Sequence, residues 1–69
     1  MEKYYAIKSG LGYVMGLDIN GSLQVGGSLL KTMCDDECYV RRLYNFIIDN
    51  TDHEVHLETI TLNIEEEEN

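Results

Sequence analysis

The sequence has no long hydrophobic run and few basic residues, and these two shortages exclude several classes of protein. The longest aliphatic and aromatic cluster is Phe46-Ile47-Ile48, far below the roughly 20 apolar residues of a transmembrane helix. Residues 1–5 contain no basic stretch followed by an apolar run, so we expect no secretory signal. Five basic residues stand against 13 acidic ones, a net charge of -8. A field of that sign repels nucleic acid and anionic membranes and attracts basic protein surfaces.

Cysteine is also scarce, because Cys34 and Cys38 are the only two. Four residues apart in one predicted helix, they would need strain to form a disulfide, so we expect reduced thiols in the cytoplasm. Together with His53 and His56 they are the only four-residue set with zinc-ligand types. Two histidines three apart on a strand point to opposite faces, and zinc knuckles usually space their cysteines by two. We therefore expect no metal and no cofactor.

A chain of 69 residues makes one domain with a core of about a dozen side chains, too small for a deep catalytic cleft. The hydrophobic content of 43% indicates that the chain folds. We predict a single α+β domain over residues 1–64. The like-charge run Glu65–Glu68 with Asn69 predicts an acidic disordered tail over residues 65–69.

The first half of the chain has the pattern of short strands joined by tight turns. All six glycines lie within the first 27 residues, and proline is absent. We predict strands at about 3–8, 12–18 and 22–30. Around the second strand the large apolar residues have odd numbers, so we expect the odd face to point to the core. These residues are Leu11, Tyr13, Met15, Leu17 and Ile19.

The turn after the second strand follows from the phase of the apolar residues. A two-residue loop Asn20-Gly21 would put the faces of the two strands out of phase. A three-residue loop, Ile19-Asn20-Gly21, pairs Leu17 with Leu23 and Met15 with Val25. We therefore predict a type I turn with Gly21 in the left-handed conformation as a G1 bulge.

From Thr32 the apolar period changes to three and four residues, which predicts an amphipathic helix over about 34–49. Asp35, Asp36 and Glu37 in its first turn complement the helix dipole, and Glu37 stands four residues before Arg41 in the favourable order. Asn50 is predicted as a left-handed cap.

A last strand is predicted over about 54–64, with a bulge near Glu58-Thr59 because its apolar residues change from odd to even numbers. The predicted fold is thus an antiparallel sheet of three to four strands with one helix packed on one face, in the order β-β-β-α-β. The predicted core consists of Ile7, Tyr13, Met15, Leu17, Leu23, Val25, Val40, Leu43, Ile47, Leu57, Ile60 and Leu62.

No residue pattern indicates catalysis. The run Gly10-Leu11-Gly12 with Gly16 leads into a strand, whereas a dinucleotide fingerprint leads into a helix N-terminus. Gly21 with Gly26-Gly27-Ser28 has glycine where the phosphate-binding lysine of a P-loop belongs. No cysteine or serine stands in a recognisable pattern with histidine and carboxylate. We expect a protein that is not an enzyme.

The acidic residues form the most distinctive pattern. Glu54, His56 and Glu58 recur at about 6.6–6.8 Å along the last strand, comparable to every second phosphate of a nucleic-acid strand. With Asp35–Glu37 and the tail, they predict an acidic side that imitates a nucleic-acid backbone. The alternative is an acidic surface that only keeps the protein soluble. The predicted partner-binding residues are Asp35, Asp36, Glu37, Tyr39, Tyr44, Glu54 and Glu58, the tyrosines because this residue is enriched at binding hot spots.

The segments Tyr5-Ala6-Ile7-Lys8-Ser9-Gly10 and Gly12-Tyr13-Val14, with a helix before a final strand, resemble short uncharacterised proteins of phages and prophages of Gram-positive bacteria. This resemblance implies inhibitors of host defence or nucleic-acid enzymes, including anti-CRISPR proteins and DNA mimics. It transfers no catalytic or ligand residue. The predicted partner is a basic, nucleic-acid-binding host enzyme. The alternative is a structural or self-assembling accessory domain, for example a homodimer, that binds through tyrosines or a sheet edge.

Overall fold

Four strands form one antiparallel sheet in the computed structural model, which describes residues 2–26 and 28–63. The strands are β1 (Glu2–Ser9), β2 (Gly12–Leu17), β3 (Leu23–Gly26) and β4 (Val55–Leu62), and their order in the sheet is β3-β2-β1-β4. A short helix α1 (Leu29–Thr32) and a long helix α2 (Glu37–Asn50) connect β3 to β4. The predicted α+β fold is confirmed. Met1, Ile64 and the predicted tail 65–69 lie outside the described residues.

The third strand is shorter than predicted because a helical turn replaces its second half. β3 ends at Gly26, where an added Cβ atom would lie 2.6 Å from Thr32 Cγ2 and 2.9 Å from Met15 Cγ. The backbone at Gly26 therefore lies too close to Thr32 and Met15 to leave room for a side chain. Thr32 Oγ1 then donates to the Ser28 carbonyl at 3.1 Å and helps to close the single turn of α1.

The hairpin between β2 and β3 has the predicted three-residue loop. Leu17 pairs with Leu23, the Gly21 amide donates to the Asp18 carbonyl at 3.0 Å, and Gly21 has φ +81°. Among the described residues, only Gly12 and Gly21 have a positive φ. A type I′ turn needs a positive φ at both central residues, so Ile19 and Asn20 do not form one. The Asp18 carboxylate also accepts the amides of Asn20 and Ser22.

The predicted phase of β2 is wrong, because a bulge shifts the register inside the strand. Val25 pairs with Val14 instead of Met15, and the shift lies between Val14 and Gly16. The extra residue brings Val14 and Leu17 to the same face although one number is even and the other odd. Met15 is therefore 61% exposed, whereas Val14 is buried.

The predicted bulge in β4 is also wrong. β1 and β4 pair without interruption from Glu2 opposite Leu62 to Ser9 opposite Val55. Because the strand alternates strictly, Val55 and Leu57 face α2 while Ile60 and Leu62 lie on the opposite face of the sheet. The change of phase in the sequence thus reflects apolar residues on both faces of one regular strand.

The core lies between the sheet and α2. Its buried members are Ile7, Val14, Val40, Ile47 and Val55, and its half-buried neighbours are Tyr5, Leu17, Leu23, Cys34, Leu43, Tyr44 and Leu57. Seven of the predicted core residues belong to this cluster: Ile7, Leu17, Leu23, Val40, Leu43, Ile47 and Leu57. Tyr13 and Met15 do not, which corrects the prediction for the odd face of β2. Val25, Ile60 and Leu62 are half-buried outside it.

Helix α2 begins three residues later than predicted because Asp36 caps it. The Asp36 carboxylate accepts the Tyr39 amide at 3.1 Å, which satisfies one of the free donors of the first turn. Cys34 instead pairs with Tyr5 through two backbone hydrogen bonds of 2.8 and 2.9 Å. The expectation that Cys34 and Cys38 share a helical face is therefore wrong.

The end of α2 also differs from its prediction. Asn50 is the last helical residue and has no left-handed conformation. The cap is Thr51, whose amide and hydroxyl both donate to the Ile47 carbonyl, at 3.0 and 2.6 Å. These two bonds satisfy a carbonyl that the helix itself leaves free.

Candidate interaction surfaces

The described part of the chain carries half of the net charge. Residues 2–26 and 28–63 contain nine acidic and five basic residues, a formal net charge of -4. The other four acids are Glu65–Glu68, which lie outside the described residues. The described surface is therefore only moderately acidic, and the placement of its individual carboxylates becomes decisive.

Three consecutive acids, the α2-start acids Asp35, Asp36 and Glu37, are all exposed. The Asp36 carboxylate caps the helix, and Glu37 Oε2 accepts from Arg41 Nε at 2.7 Å. This hydrogen bond is the largest reason why the pKa of Glu37 lies below its ordinary value. Asp35 has no ion pair within the described part of the chain. Asp35 and Asp36 are thus the carboxylates whose negative charge remains unneutralised here.

The predicted acids of the last strand lie elsewhere. Glu58 is opposite Ala6 on the face of the sheet that points away from α2. Its carboxylate accepts the Tyr13 hydroxyl at 3.2 Å, so the Tyr13 side chain reaches from β2 across β1 to β4. Glu54 precedes β4 in the loop after α2. The structure therefore distributes the predicted acidic residues over two faces of the sheet and does not bring them together on one side.

An apolar groove lies between α2 and α1, and the sequence reasoning missed it. It has a volume of about 130 Å³ and is lined by Tyr39 and Leu43 of α2, Met15 of the bulge and Thr32 of α1, among others. α2 packs mainly on β1 and β4, whereas the single turn of α1 contacts β2 and β3. The groove arises between the two helices, which no local pattern in the sequence indicates.

The two tyrosines predicted as contact residues have different environments. Tyr39 is 58% exposed, lines the groove and stands in the first turn of α2, after the α2-start acids. Tyr44, five residues later and about 140° around the helix, is half-buried and packs against the core. Phe46, two turns after Tyr39 on the same flank, is 54% exposed. Tyr39 is therefore the tyrosine of the pair that is free for contact.

A second acidic region lies at the opposite end of α2. His53 Nε2 lies 2.9 Å from the Gly21 carbonyl, which joins the loop after α2 to the β2–β3 hairpin. This contact brings Asp18 to the same end of the molecule as Asp52 and Glu54. Proximity of this kind depends on tertiary contact between loops 32 residues apart, so the sequence pattern could not reveal it.

Neither cysteine is in a disulfide: the half-buried Cys34 and the exposed Cys38 are free thiols. Among residues 2–26 and 28–63, no group of three or more His, Cys, Asp and Glu residues is placed to hold a metal ion. Within the same ranges, no helix has the length and apolar character needed to cross a membrane.

Comparison with known proteins adds no relative. No protein-family model matches the chain, and no curated protein sequence and no solved structure matches it. Charge and geometry are therefore the grounds on which a function is assigned.

Proposed function

We propose that this protein is a non-catalytic inhibitor that binds the basic surface of a nucleic-acid-binding protein and blocks access of nucleic acid to it. The observation that supports the proposal best is the exposed Tyr39, which lines the apolar groove and whose backbone amide donates to the exposed Asp36 carboxylate, next in the chain to the exposed Asp35. We place the protein in the cytoplasm, which for a phage-type inhibitor is that of the bacterial host.

This arrangement suits arginine and lysine side chains. A guanidinium group binds carboxylates through charge-assisted hydrogen bonds and stacks on the face of an aromatic ring. The aliphatic stem of the same side chain can lie along apolar surface such as that of Met15 and Leu43. Nucleic-acid-binding surfaces are rich in these residues because they neutralise phosphates.

The net charge of -8 acts at longer range. A field of one sign accelerates the encounter with an oppositely charged surface and contributes more to the association rate than to the final affinity. The described residues supply only half of this charge. In the proposed complex the α2-start acids make the specific contact, and the total charge of the protein steers the encounter.

The proposal is tested by capture from a cleared bacterial lysate with the immobilised protein, at about 50 and 300 mM salt. The captured proteins should be nucleic-acid-binding proteins, and added duplex DNA and the higher salt should both release them. Asp35→Lys and Tyr39→Ala should each reduce capture severalfold. Asp49→Lys is the matched control, because it makes the same change of charge about 20 Å away along α2 and should retain capture.

Two results would contradict the proposal. The first is a captured protein that duplex DNA does not displace. The second is an equal loss of capture in the Asp35→Lys and Asp49→Lys variants. This result would show that capture depends on the net charge and not on the position of the carboxylate.

A self-assembling accessory domain is the second candidate, and the long edge of β4 favours it. Such a domain would bind through backbone hydrogen bonds and apolar side chains, so its assembly should persist at 300 mM salt. Salt dependence therefore distinguishes this function from charge-driven inhibition.

A further inference from the structure

The outer edge of β4 is a long, regular strand edge that is available for pairing with another strand. β4 has eight residues in unbroken register with β1, and no strand among the described residues lies on its other side. It contains no proline, no lysine and no bulge, three of the devices that protect an edge strand from pairing, and Glu58 is its one acidic residue. The other edge strand, β3, has only four residues and pairs with a bulged neighbour.

We propose that the occupant of this edge is a second copy of the same chain, with the two β4 strands antiparallel about a twofold axis. The result is a continuous eight-stranded sheet with both α2 helices on one face. A twofold arrangement lets one surface serve both subunits, which is the commonest form of protein dimer. This inference gives the second candidate function a specific interface, and it is independent of the proposed inhibitory function because the groove lies on the opposite flank of α2.

The position of α2 fits this arrangement. α2 packs on β1 and β4 together, so we place its axis between these two strands, about half a strand spacing inside the edge. If β4 pairs with its copy, the two β4 strands are one strand spacing apart and each α2 axis lies half a spacing further inside. The two α2 axes are then two strand spacings, or about 10 Å, apart. This value matches the 8–10 Å between packed helices.

The flank of α2 above that edge carries a suitable apolar contact. Tyr39 and Leu43 line the groove over β2, so the opposite flank, with Tyr44 and Ile48 one turn apart, faces the outer side of β4. Ile48 is 46% exposed. A second copy would cover this side chain with its own α2.

Charge selects the register of the two strands. Residues directly opposite in an antiparallel pair share a face, so a twofold axis must pass through a residue, which near the middle of β4 is Leu57, Glu58, Thr59 or Ile60. An axis at Glu58 would set this carboxylate against its own copy. An axis at Leu57 sets His56 opposite the partner's Glu58 on one face and the two Leu57 side chains together on the other. We infer the Leu57-centred register because only this one pairs histidine with carboxylate.

Sedimentation equilibrium of the full chain over about 1 µM to 1 mM tests the dimer. The chain should approach twice its mass of 7.9 kDa. Ile48→Lys should weaken association at least tenfold. Phe46→Lys is the matched control on the other flank and should leave association unchanged. A chain that stays monomeric throughout the range, or equal effects of the two lysines, would overturn the proposal.

The register has its own test. His56→Glu should weaken the dimer by placing two carboxylates opposite each other, and the double variant H56E/E58K should restore it. In a C34S/C38S background, Leu57→Cys should form an intermolecular disulfide on mild oxidation, whereas Thr59→Cys should not. Cross-linking through Thr59→Cys alone, or a His56→Glu dimer as tight as the original, would contradict the Leu57-centred register. The charge variants decide the question if Leu57→Cys does not fold.

Discussion

Asp35 and Asp36 are adjacent carboxylates of the same surface, yet they have different structural roles. Asp36 accepts the Tyr39 amide and satisfies a donor that the helix cannot satisfy itself. Asp35 makes no such bond to the helix start. Both residues contribute negative charge to the surface, but only Asp36 also stabilises the start of α2.

Replacement of the capping side chain should destabilise the fold. We expect Asp36→Ala to lower the free energy of unfolding by about 1 kcal/mol, the usual effect of losing an N-cap oxygen. Asp35→Ala, which removes the same charge without a cap, should have a clearly smaller effect. Urea denaturation monitored by far-UV circular dichroism measures both, and equal losses would show that the cap contributes nothing.

The pair of Glu37 and Arg41 should give the stability a dependence on pH. The hydrogen bond from Arg41 lowers the pKa of Glu37 from its ordinary value of 4.5, so the folded state binds fewer protons than the unfolded state near that pH. The stabilisation is therefore fully present above pH 4.5 and is lost as the pH falls through the lowered pKa.

Removal of the guanidinium should reverse this shift. We expect Arg41→Gln to raise the pKa of Glu37 toward its ordinary value, measured by NMR titration of the side-chain carboxyl carbon. The neighbouring Arg42→Gln is the control and should leave that pKa lowered. If both variants behave alike, the cause is general charge and not the hydrogen bond to Arg41.

At the scale of elements, the β2–β3 hairpin combines a predicted turn with an unpredicted bulge. The turn depends on Gly21, whose φ of +81° is costly for residues with a Cβ atom. The bulge at Met15 has no such signal, because several apolar alternations are compatible with the same residues. Local backbone chemistry therefore specifies the turn, and packing against α2 selects the face of the strand.

The turn glycine can be tested against a glycine without this constraint. Gly21→Ala should lower the free energy of unfolding by about 1 kcal/mol because alanine is strained in the left-handed region. Gly10→Ala should change it little, since Gly10 has no positive φ and an added Cβ would meet nothing within 4 Å at either position. Thermal unfolding compares the two, and an equal or larger loss for Gly10→Ala would contradict this explanation.

On the scale of the whole molecule, the two flanks of α2 have different characters. One flank borders the apolar groove, whose lining includes Lys31, and the other stands above the edge of β4. A dimer through β4 would leave both grooves accessible on opposite sides of the assembly. Binding of a basic partner and self-association are therefore compatible in one protein.

The acidic C-terminal residues should affect the stability of the whole domain through charge. Replacing Glu65–Glu68 by glutamine halves the net charge from -8 to -4 while keeping the length. We expect the melting temperature to rise at about 10 mM salt, because the acidic domain is then attached to less like charge. The gain should shrink at about 500 mM, where charges are screened beyond a few ångströms. A gain that does not depend on salt would show that repulsion is not its cause.

The amino-acid sequence by itself determined the order of the elements and much of their local geometry. The three- and four-residue period from Tyr39 to Ile47 specifies α2, and the spacing of Leu17 and Leu23 specifies a three-residue turn ending at Gly21. These features depend on backbone preferences and on contacts between near neighbours, which a short stretch of sequence contains. The sequence also indicates which acidic residues are exposed, because charged side chains without a partner stay in water.

Only the tertiary structure decided which faces these residues occupy. The bulge at Met15 and the unbroken pairing of β1 with β4 place Val14 inside and Glu58 on the face away from α2. A shift of one residue in a strand exchanges its faces without changing its local propensities, so only long-range packing distinguishes the alternatives. The same packing separates Glu58 from Asp35 and opens the groove beside Tyr39, because α2 settles mainly over β1 and β4 whereas α1 contacts β2 and β3.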